Sequence, residues 1–224
     1  MGVFGIVAAL LAAIILGLVI WRIVAGPGTT DIVTLVPNSV SGKTCLTSTL
    51  STPRSYNQPD GAVFTYTGWI LVNDFTYNFG KRRTIFEKGD CPGVYLDSTS
   101  NGILVVVNTY GATETILIGN IPAKKWVHFA VAVNQYSVDI YINGVLAQHH
   151  TLGQLPKQND STVSIGSNTD NWDGVLSNLQ YVPRTLTTLE IQSRVSNVPT
   201  DALNTPSAPQ YFDMTWYTGR LNST

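Results

Sequence analysis

Three glutamates, Glu87, Glu114 and Glu190, are the first candidates for acid–base chemistry in this chain. Glycoside hydrolysis needs two carboxyl groups within about 5–10 Å of each other. Glu190 is already occupied by a structural task. Thr187-Thr188-Leu189-Glu190 is a capping box: the Thr187 hydroxyl accepts from the N3 amide and Glu190 reaches back to the Thr187 amide. Histidine offers little more. His149 and His150 are adjacent on a predicted strand and point to opposite faces, a poor metal pair. His128 falls on the strand face opposite Val127 and Val131, where a hydrogen-bonded structural histidine is the expected reading. Cys45 and Cys91 match no metal spacing. Two states remain open for them, a disulfide in an oxidising space or two unpaired buried thiols.

Binding chemistry has more to work with. Asn168, Asp170, Asn171 and Asp173 form an oxygen-rich loop beside Trp172. An ordinary Asn/Asp-rich turn is the favoured reading. The alternative is Ca²⁺, held by Asn168, Asp170 and Asp173 with carbonyls, since that ion takes six to eight oxygens. A glycan groove needs exposed aromatics with convergent polar groups. Tyr110, Tyr136, Tyr141 and Trp172 are candidates, and they equally suit a surface packed on another subunit. Lys81-Arg82-Arg83 falls at a predicted loop tip, either a solvated turn or a contact for an acidic neighbour or lipid headgroups. Asn159-Asp160-Ser161 and Asn222-Ser223-Thr224 are glycosylation sequons, relevant only in a secretory lumen. Charged residues make up 12% of the chain and the net charge is −1. Nothing in that balance points to nucleic acid.

The elements that position these residues read as strands. Short period-2 segments separated by turn signals run through the chain after its first thirty or so residues. Predicted strands cover residues 31–36, 62–72, 84–87, 94–96, 102–108, 114–118, 127–134, 136–142, 145–149, 162–165 and 175–182. In residues 127–134, Val127, Phe129, Val131 and Val133 alternate with His128, Ala130, Ala132 and Asn134. Asn143-Gly144 supplies two residues that tolerate φ > 0, so a tight hairpin follows. A short helix is predicted over residues 189–195. The expectation is an all-β sandwich of two antiparallel sheets, residues 35–195.

The N-terminus differs. Residues 1–21 carry no charge, and a helix of that length spans about 31 Å at 1.5 Å per residue, matching a hydrocarbon core of about 30 Å. The expectation is an uncleaved single-pass anchor over residues 1–25 and a linker over 26–34, because no basic residue precedes the apolar run as a signal peptide requires. Gly5, Ala9, Ala13 and Gly17 recur every four residues, a small-residue stripe suited to packing against another helix. Arg22 lies on the domain's side, which favours a cytoplasmic domain. The tail, residues 196–224, has no periodicity but carries Tyr211, Phe212, Trp216 and Tyr217, expected partner contacts together with Lys81, Arg82 and Arg83.

Lys125-Trp126-Val127-His128-Phe129-Ala130-Val131 with Val138-Asp139-Ile140-Tyr141-Ile142-Asn143-Gly144 resembles the paired strands of laminin-G-like domains in the concanavalin A-like lectin/glucanase superfamily. Ser164-Ile165-Gly166, Trp172-Asp173-Gly174, Leu179-Gln180-Tyr181 and Arg184-Thr185-Leu186-Thr187 through Glu190-Ile191 resemble the closing segment. Phe64-Thr65-Tyr66-Thr67-Gly68-Trp69-Ile70 resembles the early core strand. The likeness covers residues 63–192, and Trp69, Trp126, His128, Asn143, Gly144, Trp172, Gly174 and Glu190 are its signature here. It implies a jelly roll. Trp69 and Trp126 are read as plugs at the ends of the sandwich. The superfamily's glucanases place paired carboxylates one residue apart on a strand. None of the three glutamates has an acidic neighbour at i+2, so an enzyme is not expected.

An anchor ahead of a laminin-G-like domain also resembles structural proteins of large DNA viruses that link an internal membrane to a capsid shell. The expected function is a non-catalytic module joining a membrane to protein subunits of such an assembly. The alternative is an anchored glycan-binding adhesion protein, expected to carry a Cys45–Cys91 disulfide and to bind Ca²⁺.

Overall fold

A computed structural model describes residues 2, 11–18, 21, 32–55 and 62–200. The chain divides into two units, residues 1–32 and 33–224. In the first unit residues 11–18 are helical. No helix among the described residues is long and apolar enough to cross a membrane. Of the small-residue stripe, Ala13 and Gly17 fall in this helical stretch. Gly5, Ala9 and the tail aromatics Tyr211, Phe212, Trp216 and Tyr217 lie outside the described residues.

The second unit is the predicted all-β sandwich. One sheet has seven strands in the order β1-β13-β4-β9-β10-β11, with β2 also paired to β13. These are β1 (Val33–Val36), β2 (Val40–Ser41), β4 (Val63–Asp74), β9 (Trp126–Asn134), β10 (Ser137–Ile142), β11 (Val145–Thr151) and β13 (Asp173–Val182). The other has six, in the order β3-β12-β5-β6-β7-β8. They are β3 (Leu46–Thr47), β12 (Ser164–Ile165), β5 (Arg83–Glu87), β6 (Gly93–Leu96), β7 (Ile103–Val107) and β8 (Glu114–Ile118). All pairings are antiparallel.

Period-2 alternation builds the core. Phe64, Tyr66, Ile70 and Val72 of β4 and Val127, Phe129, Val131 and Val133 of β9 join Ile85, Phe86, Val94, Leu96, Val105 and Val107 from the opposite sheet. Tyr66 stacks on Phe86 at 5.1 Å between ring centroids and Phe86 on Phe129 at 6.2 Å, so aromatic contacts cross between the sheets.

The outer face of β4 and β9 is buried as well. Thr65, Thr67, Trp69, His128, Ala130 and Ala132 are all inaccessible, and register pairs Trp69 with His128, Thr67 with Ala130 and Thr65 with Ala132. Residues 184–195 cover this face. The Thr65 hydroxyl donates to the Arg184 carbonyl (2.8 Å) and accepts from the Leu186 amide (3.1 Å). A helix follows over Thr188–Val195, with both arms of the Thr187/Glu190 capping box formed and Ile191 as its buried anchor. Arg184 donates to both Glu190 oxygens (3.0 and 2.6 Å) and holds that carboxyl down to about 2. Asn143 and Gly144 take φ of 50° and 79° as the hairpin requires. The Asn143 side chain accepts from the His128 amide (2.9 Å), which clasps the turn to β9.

Two signature residues, Trp69 and Trp172, sit differently from expectation. Trp69 plugs no end of the sandwich; it lies under the covering segment, edge-on to His128 at 5.2 Å. Trp126 is half-exposed. Trp172, expected as a possible exposed aromatic, is buried against Gly42 and Gly174. A Cβ on Gly174 would strike the Leu71 carbonyl and the Trp172 ring, so the chain approaches this closely only with glycine there.

Candidate functional site

Two concavities adjoin where β3, β12 and β5 meet the loops that follow them. The first, about 210 Å³, is lined by Thr49, Leu50, Ser51, Thr52, Lys88, Asp160, Ser161 and Thr162. The second, about 350 Å³, shares Thr49 and Leu50 and continues over the apolar Leu35, Val36, Pro37, Val40, Leu46 and Ile165, with Asn38, Thr47 and Ser48 among them. A hydroxyl-rich pocket therefore opens beside an apolar groove.

Local chemistry builds the pocket. The Ser48 amide donates to the Val163 carbonyl (2.8 Å), extending the β3–β12 pairing. The wall at 49–54 then returns to the sandwich, where the Tyr181 hydroxyl donates to the Pro53 carbonyl (2.5 Å). Opposite, β5 ends in a turn at Lys88, Gly89 and Asp90, with the last two at φ of 52° and 56°. Asn159 staples that turn: its Nδ2 donates to the carbonyls of Lys88 (2.9 Å) and Gly89 (3.3 Å), and its Oδ1 accepts from the Ser161 amide (3.0 Å).

Lys88 is the pocket's buried cation, 7% exposed, with its Nζ donating to the Asn159 carbonyl at 2.5 Å. Burial lowers its pKa and the charge of Asp160 partly restores it. Asp160 itself is exposed and takes two oxygens to Arg54 Nη2 (3.1 and 2.9 Å). This pairing pushes the carboxyl down and the guanidinium up. Tyr110, 70% exposed, lies close enough to Arg54 to act on it electrostatically. The Lys157 ammonium stands 5.9 Å from the Tyr110 ring centre. Hydroxyls, amides, a cation and an exposed aromatic face are the groups that grip a polyhydroxyl ligand. The two concavities offer one carboxylate, Asp160, so no acid–base pair of the kind glycoside hydrolysis needs is assembled there.

Several sequence candidates belong elsewhere. Arg83 is no solvated turn residue. It is fully buried, donating from Nη1 to the carbonyls of Phe75 (2.5 Å) and Tyr77 (3.1 Å) and from Nη2 to that of Asp97. Arg82 lies over the Tyr95 ring at 4.0 Å, and Lys81 is exposed. In the proposed Ca²⁺ loop, Asp173 pairs with Lys43 (3.1 Å) and Asp170 accepts from the Thr169 hydroxyl (3.0 Å). Asn168 is exposed on the same loop. No cluster of three or more His, Cys, Asp or Glu side chains able to hold a metal occurs among the described residues. His128 accepts or donates through Nε2 at the Thr67 hydroxyl (2.9 Å) and is depressed to about 4 by burial and then by Arg194. His150 and Glu114 join the edge strands of the two sheets at 2.7 Å. Both cysteines are free: Cys45 is exposed, and Cys91 is buried and pushed up to about 11, so of the two states left open neither the disulfide nor the pair of buried thiols is met in full.

Lys88 escaped the sequence reading because the pocket gathers residues 49–52, 88 and 160–162, which no local spacing links. A signal was present in the hydroxyl run Thr47-Ser48-Thr49-Leu50-Ser51-Thr52, too polar for a core strand and too poor in charge for an ordinary loop.

The fold defines the class. The chain belongs to the concanavalin A-like lectin/glucanases superfamily, whose Laminin_G_3 model matches residues 45–192. Among solved structures, the chain is similar to the botulinum neurotoxin serotype D ligand-binding domain in complex with N-acetylneuraminic acid. Identity is 13%, the TM-score 0.59, and coverage 74% of this chain and 45% of that one. The binding domain of Paraclostridial Mosquitocidal Protein 1 matches at 15% identity and TM-score 0.57, over the same 74% and 45%. A third similar structure accompanies the statement that cell entry of botulinum neurotoxin type C depends on interaction with two ganglioside molecules. It matches at 17% identity and TM-score 0.52, over 76% of this chain and 43% of that one. The chain thus spans less than half of each of these structures, and the likeness is one of fold. No curated protein sequence matches the chain.

Proposed function

We propose that this chain is a non-catalytic glycan-binding module of lectin type, tethered to a membrane by the uncharged run at residues 1–21. The observation that carries the reading is the 210 Å³ pocket walled by Thr49, Ser51, Thr52, Ser161 and Thr162 around Lys88, with Tyr110 exposed near Arg54, the partner of Asp160 in that wall. Five hydroxyls provide both donors and acceptors, which suits a ligand that is itself a ring of hydroxyls. Fold neighbours solved with N-acetylneuraminic acid or described through gangliosides support the same reading. The membrane-to-shell scaffold expected from the chain layout draws no comparable support from the family match or the fold neighbours. Neither a Cys45–Cys91 disulfide nor Ca²⁺ is needed for this reading.

The test uses the full chain in neutral-lipid nanodiscs on a glycan array, followed by titration calorimetry of the hits with and without EDTA. Saturable binding that survives EDTA and weakens on Tyr110→Ala is the expected result. Absence of binding to every glycan class refutes the proposal. Protease protection of sealed vesicles, with and without detergent, tests the side of the membrane, for which Arg22 favours the cytoplasm.

A further inference from the structure

We propose that Lys88 makes this pocket selective for acidic sugars, its ammonium receiving the carboxylate of a terminal glycan residue. The proposal rests on the glycan-binding reading above and adds the ligand's charge to it.

Lys88 has three N–H donors and spends one on the Asn159 carbonyl. Its other two have no partner among the described residues, although 93% of the residue is removed from solvent, given its 7% exposure. A buried ammonium is costly unless paired and fully hydrogen-bonded. No carboxylate meets it within ion-pair distance among the described residues. The neighbouring carboxylate, Asp160, is committed to Arg54 in a two-oxygen contact, which leaves one cation in excess at the pocket. Lys157 adds positive charge beside Tyr110.

A neutral sugar hydroxyl can accept a hydrogen bond from the ammonium but cannot balance its charge. A carboxylate does both, in a charge-assisted bond about twice as strong as a neutral one. The pocket volume of about 210 Å³ lies below the ~300 Å³ at which drug-sized ligand sites begin, so it suits one terminal residue. The ligand's continuation then lies along the apolar groove reached through Thr49 and Leu50.

The experiment measures the full chain against sialyllactose, sialyllactose with its carboxyl converted to a methyl ester, a glucuronic acid-terminated disaccharide, a sulfated lactose and lactose. Both carboxylated sugars are expected to bind roughly tenfold or more tightly than the ester and lactose, the worth of one hydrogen bond to a charged group. Lys88→Met is expected to erase that advantage, whereas Lys81→Gln, outside the pocket lining, keeps it. Equal binding of acid and ester overturns the proposal without any variant, so an unfolded Lys88→Met leaves it testable. A preference for the sulfated sugar over both carboxylated ones also overturns it. If lactose binds as well as the acids, the acidic preference fails while the glycan-binding reading stands. If no sugar binds, the glycan-binding reading itself fails.

Discussion

Lowering the pH from 7 to 4 should destabilise the sandwich through His128, and the size of the effect can be worked from its surroundings. The ring is sealed beneath the 184–195 segment, edge-on to Trp69, and makes one hydrogen bond, to Thr67. Its Nδ1 is buried without a partner. The tautomer with Nε2–H donating to Thr67 is the favourable one, because a lone pair left unpartnered costs less than an N–H. Protonation would add an N–H at Nδ1 and a charge where neither is compensated, which is why the group titrates at about 4 when folded against about 6.5 when unfolded. The folded value is depressed for a base, so the unfolded state binds more protons between those limits. Stability is complete above about pH 6.5 and falls as pH drops toward 4. A shift of that size corresponds to about 3 kcal/mol, with a slope of up to about 1.4 kcal/mol per pH unit. Urea unfolding of the wild type and His128→Gln at pH 7, 6, 5 and 4.5 measures it. The variant is less stable at pH 7, and its curve is flatter by close to one proton between pH 6 and 5. Equal slopes for the two proteins, or an NMR titration of His128 near 6.5, would refute the reasoning.

Three further outcomes are expected. Arg83→Met leaves the carbonyls of Phe75, Tyr77 and Asp97 without their donor, at about 1–3 kcal/mol for each group that stays buried; urea unfolding shows a loss above 2 kcal/mol, and Arg83→Lys does not restore it. Glu190→Gln weakens the clasp to Arg184 and one arm of the capping box, so stability falls at pH 7 but the difference from wild type shrinks as pH drops below about 4.5, where the wild-type carboxyl starts to lose its advantage. A thiol reagent at pH 8 modifies Cys45 in the native protein, while Cys91, buried and pushed up to about 11, reacts only after urea is added; equal rates would contradict the burial.

Strands were legible wherever a period-2 run exceeded about four residues. The 114–118 strand has the bounds expected of it, and 127–134 and 136–142 differ by one residue at one end. β2 and β3 are two residues each, too short to show any period. Alternation set His128 on the face opposite Val127 and Val131 but could not show that the chain returns over that face at 184–195, enclosing Trp69 and His128. Arg83 read as a surface charge because residue type alone cannot reveal three carbonyls converging on it. The capping box and the Asn143-Gly144 turn were legible because each is set by residues within three positions of one another in sequence. Lys88 was not, since its setting is made by segments seventy residues apart in sequence, as the Lys88–Asn159 contact spans 71 positions.

The Asn159 staple carries a consequence for how the protein is made. Asn159-Asp160-Ser161 is a glycan acceptor sequence, and the nitrogen that would accept the sugar is the one bonded to the Lys88 and Gly89 carbonyls. Transfer of a glycan to that nitrogen removes at least one of those bonds and sets a bulky chain at the mouth of the pocket. Folding and glycosylation therefore compete for a single atom. Bacterial cytoplasm, where the transfer does not occur, is the host in which the pocket forms unmodified, and glycan mapping at Asn159 reports which process came first in any other.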